Sequence, residues 1–373
     1  RYKLVENGKR NQIIIKVVGV GGCGGNAIDH MVSNGVEGVE TISANTDSQA
    51  LTKNKATEKI ILGELNNNGQ GAGGKPDVGR DMALDDYERL TTMFDGSDMV
   101  FIAAGMGGGT GTGGAPIVAR AAKEVGALAV AIVTKPMSLE FKDELAEIGI
   151  KELRSEVDSL ITIPNQKLSE VFGGDCTMLE AFGHANDVLL GAVRGIADII
   201  TQTGYINVDF NDVRTVMAEQ GVAMMGTGIA SGPSRAKDAA AQAVGSPLLE
   251  DINLQNAKGV LVNITGKGIK VGEIEDVLRQ VSEFASTGAQ IIHGAVEDKD
   301  MEGDIKVTII ATGLSDGSHT SDKRSEFKVA NDPYGRFQEV PTLGKVEGEG
   351  TKTEVSKKRD YLDIPSFVRK QID

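Results

Sequence analysis

Three glycine-rich stretches offer chemistry that a backbone can do without side chains. They are GVGGCGGNA from Gly19, GQGAGG from Gly69 and GMGGGTGTGG from Gly105. Where Cβ atoms are missing, backbone N–H groups can approach an anion, and a following helix start adds a favourable dipole. The third stretch holds seven glycines in ten residues, with the hydroxyls of Thr110 and Thr112 among them. It sits between a buried-strand pattern and a helical one, a place linkers do not occupy. Three such loops on one sheet can surround a polyphosphate, whereas a single loop of this kind also suits tight strand–helix packing. Taken alone, the first loop could be a dinucleotide fingerprint, which expects an acidic residue about 20 positions on. Asn45 stands there, with Asp47 two further along, so the fit is poor. No glycine loop ends in Gly-Lys-Ser/Thr, so the Walker phosphate loop is absent. Cys23 reads as a small packing residue, because nothing in the sequence places a histidine base beside it. The segment NVDFNDV brings Asn207, Asp209 and Asp212 close together. An Asp-x-x-Asp pair at a helix start reads first as capping, since carboxylates accept amide hydrogen bonds there.

The elements that hold these loops follow from hydrophobic patterning. IIIKVVGV (13–20), VETISANTD (39–47), KIILG (59–63), DMVFIAAG (98–105) and ALAVAIVTKP (127–136) are of strand length and mostly continuous in apolar residues. Helical periods separate most of them, including a charged helix near 79–94. This alternation predicts a parallel sheet covered on both faces. After a long apolar helix at about 177–201 come GVLVNITG, AQIIHGAV and DIKVTIIATG, with a helix at about 273–286, which predicts a second α/β domain. From Ser315 to Arg359 the periodicity stops. Eight acidic and nine basic residues there, with few large aliphatics, predict a disordered linker. The final DYLDIPSFVRKQID regains apolar side chains, too few for a core, and reads as a docking peptide or as a tail folding back.

Composition excludes several classes. The net charge of −14 argues against general nucleic-acid binding, which needs an excess of Lys and Arg. There is no Trp, and aromatics are 4% of residues, so base-stacking platforms are not expected. Two cysteines, Cys23 and Cys176, make no disulfide framework, which points to a reducing cytoplasm. The polar start RYKLVENGKRNQ does not read as a signal peptide, and no apolar run is long enough to span a bilayer.

GVGGCGGNA, NTDSQAL, FIAAGMGGGTGTGGAP, IPN and NVDFNDVRTVM occur together and in order. With them the chain resembles the tubulin superfamily and, within it, the bacterial cell-division GTPases. The likeness runs from about Ile13 to Leu314 and resumes in DYLDIPSFVRKQ. It implies an α/β fold: an extension (1–12), a Rossmann-like parallel-sheet GTPase domain (13–176), a long central helix (177–202), and a smaller C-terminal α/β domain carrying the catalytic loop (203–314). A linker (315–359) and a docking peptide (360–373) complete it.

GTP and GDP are the implied ligands, with Mg²⁺ neutralising the phosphates; no metal held by protein side chains is expected. The resemblance assigns nucleotide contacts to Gly21, Gly22, Cys23, Gly24, Gly25 and Asn26, with Asn45. Gly71, Ala72 and Gly73 match a γ-phosphate sensor, and Gly107, Gly108, Gly109, Thr110, Gly111 and Thr112 the signature loop. Thr134 and Glu140 extend the site, Glu140 towards ribose, while Phe182, Asn186 and Asp187 match the guanine end. Asn207, Asp209 and Asp212 become catalytic, entering the next subunit's pocket to polarise the attacking water. One stretch departs from the pattern KPFxFEGxxR. Here KPMSLEFKDELAEIGI puts Glu144 where an arginine is expected, and Lys142 lacks the arginine fork.

Implied partners are further copies, head to tail in open filaments, and membrane-tethering adaptors on Tyr361, Leu362, Ile364, Phe367, Val368, Arg369 and Lys370. Nucleic acid and direct membrane insertion are not expected, and the implied location is the inner face of the membrane at the division site. A Rossmann oxidoreductase and a nucleotide-binding scaffold without hydrolysis remain as alternatives.

Overall fold

The computed structural model describes residues 13–172, 176–202, 204–219, 221–249, 257–286 and 288–314. The extension at 1–12, the linker and the docking peptide lie outside the described residues. β1 (Ile15–Val20) is buried throughout and leads directly into α1 (Gly21–Ser33). β2 (Glu40–Asn45), α2 (Ser48–Lys53), β3 (Glu58–Ile61) and α3 (Glu64–Asn67) follow. α4 (Pro76–Asp85) and α5 (Tyr87–Phe94) replace the single helix expected near 79–94. The break is at Asp86, a buried residue whose carboxylate accepts from the Gly63 amide at 2.7 Å and pairs with Arg89 at 2.6 Å. Those two demands take the carboxylate away from a continuing helix surface.

The chain continues through β4 (Met99–Gly105), α6 (Thr110–Glu124), β5 (Leu128–Lys135), a 3₁₀ turn at Ser138–Glu140 and α7 (Asp143–Glu156). Then come β6 (Ser159–Pro164), α8 (Asn165–Phe172), α9 (Met178–Thr201) and α10 (Phe210–Met217). β7 (Val222–Ser231), α11 (Arg235–Val244), β8 (Gly259–Gly266), α12 (Val271–Phe284), β9 (Gln290–Glu297) and β10 (Asp304–Leu314) complete the described chain.

All ten strands belong to one sheet, in the order β3-β2-β1-β4-β5-β6-β7-β10-β8-β9. The strands of the expected second α/β domain are thus continuous with the first part of the sheet. Parallel pairing of β6 with β7 makes the join, through Leu160 with Val222 and Ile161 with Ala223. β7 and α11 are not evident in the hydrophobic pattern. β7 carries Gly226 and Gly228 where α11 packs so closely that a Cβ would strike the carbonyl oxygens of Ala243 and Ala239. Glycine on the strand and alanine on the helix erase the apolar contrast that marks elements elsewhere.

Alternation along the central strands builds two cores. Ile15 and Val17 of β1, with Met99, Phe101 and Ala103 of β4, pack beneath α1 and α9. Val18 and Val20, with Val100, Ile102 and Ala104, pack on the other face beneath α4, α5, α6 and α7. A third core joins α11 and α12 to the second half of the sheet. α9 starts with a capping box, Thr177 and Glu180 bonding reciprocally. It also reaches the second half, where Asn263 Nδ2 donates to the Gly195 carbonyl at 3.0 Å.

Strand order decides where a ligand can sit. From β1 the chain steps outward to β2 and β3, then crosses back to lay β4 on the other side of β1. The loops leaving β1 and β4 therefore diverge at a topological switch point, where open α/β sheets form their ligand crevice. α6 is held there against α4, at Gly113. A Cβ on Gly113 would strike the Pro76 carbonyl oxygen and lie 2.8 Å from the Arg80 amide. Gly113→Ala is expected to lower unfolding free energy by about 1–3 kcal/mol, as overpacking does. Chemical denaturation measures it, and an unchanged midpoint would show that α4 yields instead.

Candidate active site

Two helices begin at the switch point with no side-chain cap. α1 starts at Gly21 and α6 at Thr110, so the first-turn N–H groups of both remain open to an anion. Gly21 turns at φ +73, and a Cβ on it would lie 2.9 Å from the Gly111 amide, so the two loops touch. Between them and α9 opens a cleft of about 350 Å³.

The structure brings most of the expected residues to this cleft. Gly22, Cys23 and Asn26 line it from the first loop, and Gly108, Gly109, Thr110 and Gly111 from the signature loop. Thr134, Glu140, Phe182 and Asn186 complete the expected set. A Cβ on Gly22 or Gly108 would meet nothing within 4 Å, so these two glycines are open towards a ligand.

Other expected contacts hold the cleft's shape without lining it. Gly24 presses α1 on the Ala103 carbonyl of β4, and the Gly25 carbonyl accepts from Asn54 Nδ2 at 2.8 Å. The Gly107 amide donates to Thr112 Oγ1 at 2.9 Å, which curls the signature loop. Asn45 is buried and accepts from the Asp47 amide at 3.3 Å. Gly71, Ala72 and Gly73 flank the signature loop from outside. A Cβ on Gly109 would lie 2.9 Å from that of Ala72, and the Gly71 amide donates to the Thr46 carbonyl at 2.9 Å. Asp187 turns from the cleft to His30, whose Nε2 lies 2.7 Å from its carboxylate. Glu144 does not line the cleft, whereas Lys142 does, its Nζ 3.8 Å from Glu140.

Asn207, Asp209 and Asp212 are exposed and none of them lines the cleft. Asp209 caps α10 by accepting from the Asn211 amide at 3.1 Å, and Asn207 Oδ1 accepts from the Gly204 amide at 2.8 Å. Capping, the first reading of the Asp-x-x-Asp spacing, is thus observed for Asp209.

Cys23 faces the opening with its Sγ 3.5 Å from Thr134 Oγ1. The residue is exposed at the opening, but desolvation by the surrounding loops pushes the thiol pKa up, and the nearby Glu140 adds to this, against the Thr134 hydrogen bond. A thiol held in its neutral form fits packing better than nucleophilic attack.

Among the cleft residues outside the expected set, Asn165 stands out. Asn165 begins α8 directly after β6, is 5% exposed, and its Oδ1 has no hydrogen-bond partner. Its only trace in the sequence is the IPN motif. An orphaned acceptor in a buried wall is a place for a ligand donor. Chemically, then, the cleft offers open amides and Lys142 to a polyanion, and Phe182, Asn165 and Asn186 to a planar polar group. A larger hollow of about 850 Å³ lies elsewhere, lined by Lys123, Arg154 and Lys258 among others. Lys123 and Arg154 occupy the last turns of α6 and α7, where they complement negative helix ends.

The Tubulin/FtsZ family GTPase-domain model matches residues 14–173, and the FtsZ family C-terminal-domain model matches residues 221–315. Fold and cleft therefore define a tubulin-class GTPase, and the oxidoreductase alternative falls. CetZ1 from Haloferax volcanii shares the fold at a TM-score of 0.71 with 19% identity, covering 82% of this chain and 95% of that one. An FtsZ dimer structure from M. jannaschii gives a TM-score of 0.78 at 40% identity, covering 82% of this chain and 89% of that one. The cell division protein FtsZ of Buchnera aphidicola (Schizaphis graminum) is 50% identical, over 97% of this chain and 98% of its own. That of Pseudomonas aeruginosa is 48% identical over the whole of both chains. The chain belongs to the FtsZ family.

Replacing Asn165 by Leu tests the orphaned acceptor. GTP affinity should fall by about 1–3 kcal/mol, the worth of a buried matched hydrogen bond, while the nucleotide-free protein keeps its stability. Isothermal titration beside thermal unfolding separates these effects, and unchanged affinity would remove Asn165 from the binding wall.

Proposed function

We propose that this chain is a filament-forming GTPase of cell division whose active site is completed between successive copies. The observation that carries this reading is the separation of its two chemical parts. Open amides line a cleft at the switch point, while Asn207, Asp209 and Asp212 stand exposed outside it. Head-to-tail stacking would bring one copy's carboxylates to the next copy's phosphates, and a contact that does not close by rotation extends as a filament.

In this reading the starts of α1 and α6 hold the phosphates, with Lys142 in place of an arginine fork. Glu140 meets the ribose. Phe182 covers the guanine face while Asn186 and Asn165 bond its edge. Asp187, at the same end of α9, would exchange its His30 contact for the guanine edge. Asp209 and Asp212 of the arriving copy orient the attacking water and accept its proton, and the γ-phosphoryl passes to it, leaving GDP and phosphate. Among the described residues no three His, Cys, Asp or Glu side chains cluster to hold a metal. A magnesium ion bound with the nucleotide would supply positive charge that lets carboxylates and polyphosphate coexist.

Among the described residues no helix is long and apolar enough to cross a membrane. Attachment at the division site would then go through adaptors that take Tyr361, Leu362, Ile364, Phe367, Val368, Arg369 and Lys370, all outside the described residues.

Two outcomes test this. Specific GTPase activity should fall on dilution, and Asp212→Asn mixed with Thr110→Asp should recover turnover that neither variant shows alone. A flat dilution curve with no recovery on mixing would mean that the carboxylates act within one chain or not at all. Deleting residues 360–373 should leave turnover within about twofold, well under the tenfold that 1.4 kcal/mol represents, yet abolish binding to membrane-bound adaptors. Collapse of turnover would place the tail in the folded body.

A further inference from the structure

The turn between β5 and α7 is tightly fixed. The Met137 amide donates to Glu140 Oε1 at 3.0 Å and the Phe141 amide to the Ser138 carbonyl at 3.2 Å. The Ser138 amide donates to the side chain of Gln166 at 3.2 Å. This turn aims Glu140 and Lys142 into the cleft. Phe141 stands between them and does not line the cleft; it is 93% exposed. Its backbone lies at φ +54, the left-handed region that bulky residues rarely enter. The position falls where the pattern KPFxFEGxxR has glycine, for which that conformation is unstrained. Leu139, on the same turn, is 59% exposed.

An aromatic ring held in water on a strained backbone is unfavourable twice over in the isolated chain. Such outliers persist where the surroundings or a function over-determine them. Nucleotide is not what covers this ring, because the cleft takes the residues on either side and leaves Phe141 outside. A second copy is in the right place. For the exposed Asp209 and Asp212 to reach the phosphates, the end of α10 must arrive at this rim. That end carries half-buried Val208 and Phe210 beside the carboxylates, with the Arg214 guanidinium 5.4 Å from the Phe210 ring centre.

We propose that Phe141 is an apolar anchor of the head-to-tail contact, burying its ring against a second copy of this chain with Leu139 in support. The proposal rests on the reading of the site as shared between copies. It adds that this chain strengthens the contact through a residue at the pocket rim that takes no part in binding nucleotide.

The test uses the full chain with Phe141→Gly, which relieves the backbone and removes the ring, and Phe141→Asn, which tolerates the left-handed region and is polar. Thermal unfolding should be unchanged or raised in both. GTP affinity, measured by titration below the assembly concentration, should stay within twofold of the parent. The concentration giving half-maximal GTPase activity, and that at which protein sediments with a slowly hydrolysed GTP analogue, should rise at least about tenfold, as loss of a buried aromatic ring implies. If the parent shows concentration-dependent turnover and both variants superimpose on it, Phe141 is no anchor and the proposal fails while the shared site stands. If GTP affinity falls by the same factor as assembly, the ring serves the nucleotide and the proposal also fails. If the parent's own turnover is flat on dilution, the shared-site reading fails and takes this proposal with it.

Discussion

The site depends on helices lying closer to neighbouring backbone than any side chain permits. Gly24 sets α1 on the Ala103 carbonyl, Gly111 sets α6 where a Cβ would lie only 2.5 Å from the Gly105 carbonyl oxygen, and Gly79 sets α4 against the Gly109 carbonyl. Each is a position where a methyl group would force a backbone apart. Because these contacts fix where α1 and α6 begin, they also fix where the uncapped amides point. Preorganised amides of this kind meet developing charge without having to reorient, which is where phosphoryl transfer gains most. The anion site is thus a consequence of packing as much as of loop sequence.

That double use of glycine explains what the sequence could and could not reveal. The three loops stand out in the sequence as candidate anion-binding turns because they lie between strand and helix patterns. Which glycine touches ligand and which touches backbone is not legible there, since both purposes demand the same missing Cβ. Gly22 and Gly108 face open space, whereas Gly24, Gly25 and Gly107 serve packing or loop curvature. The resemblance puts Asp187 at the guanine end, and what no sequence pattern shows is that its carboxylate lies beside His30, a residue 157 positions away in the chain. Asn165 showed no sequence signal of its own beyond IPN, because an orphaned acceptor is defined by what surrounds it. The continuous sheet is hidden for a related reason: β7 carries Gly226 and Gly228 beneath an alanine-rich α11, so it lacks an apolar mark, and it meets β6 over only two residue pairs.

The two chemical parts also differ in how the fold holds them. The cleft is clamped from several sides, by the curled signature loop, the Thr46–Thr110 hydroxyl pair at 2.6 Å and the 3₁₀ turn before Phe141. Asp209 caps an eight-residue helix and Asp212 lies in its first turn, with Val213, Val216 and Met217 of that helix buried.

The join between the halves of the sheet has a mechanical meaning. Only two residue pairs link β6 to β7, whereas β7 and β10 share a ladder that runs almost the length of both strands. Bending stiffness in a sheet grows with the number of rungs that must shear together, so torsion applied to the molecule concentrates at this short seam. α9 crosses it like a connecting rod, with Phe182 and Asn186 at the cleft and Gly195 bonded to Asn263 beyond. Among the described residues the seam is the most weakly laddered join in the sheet, and α9 is the element that spans it.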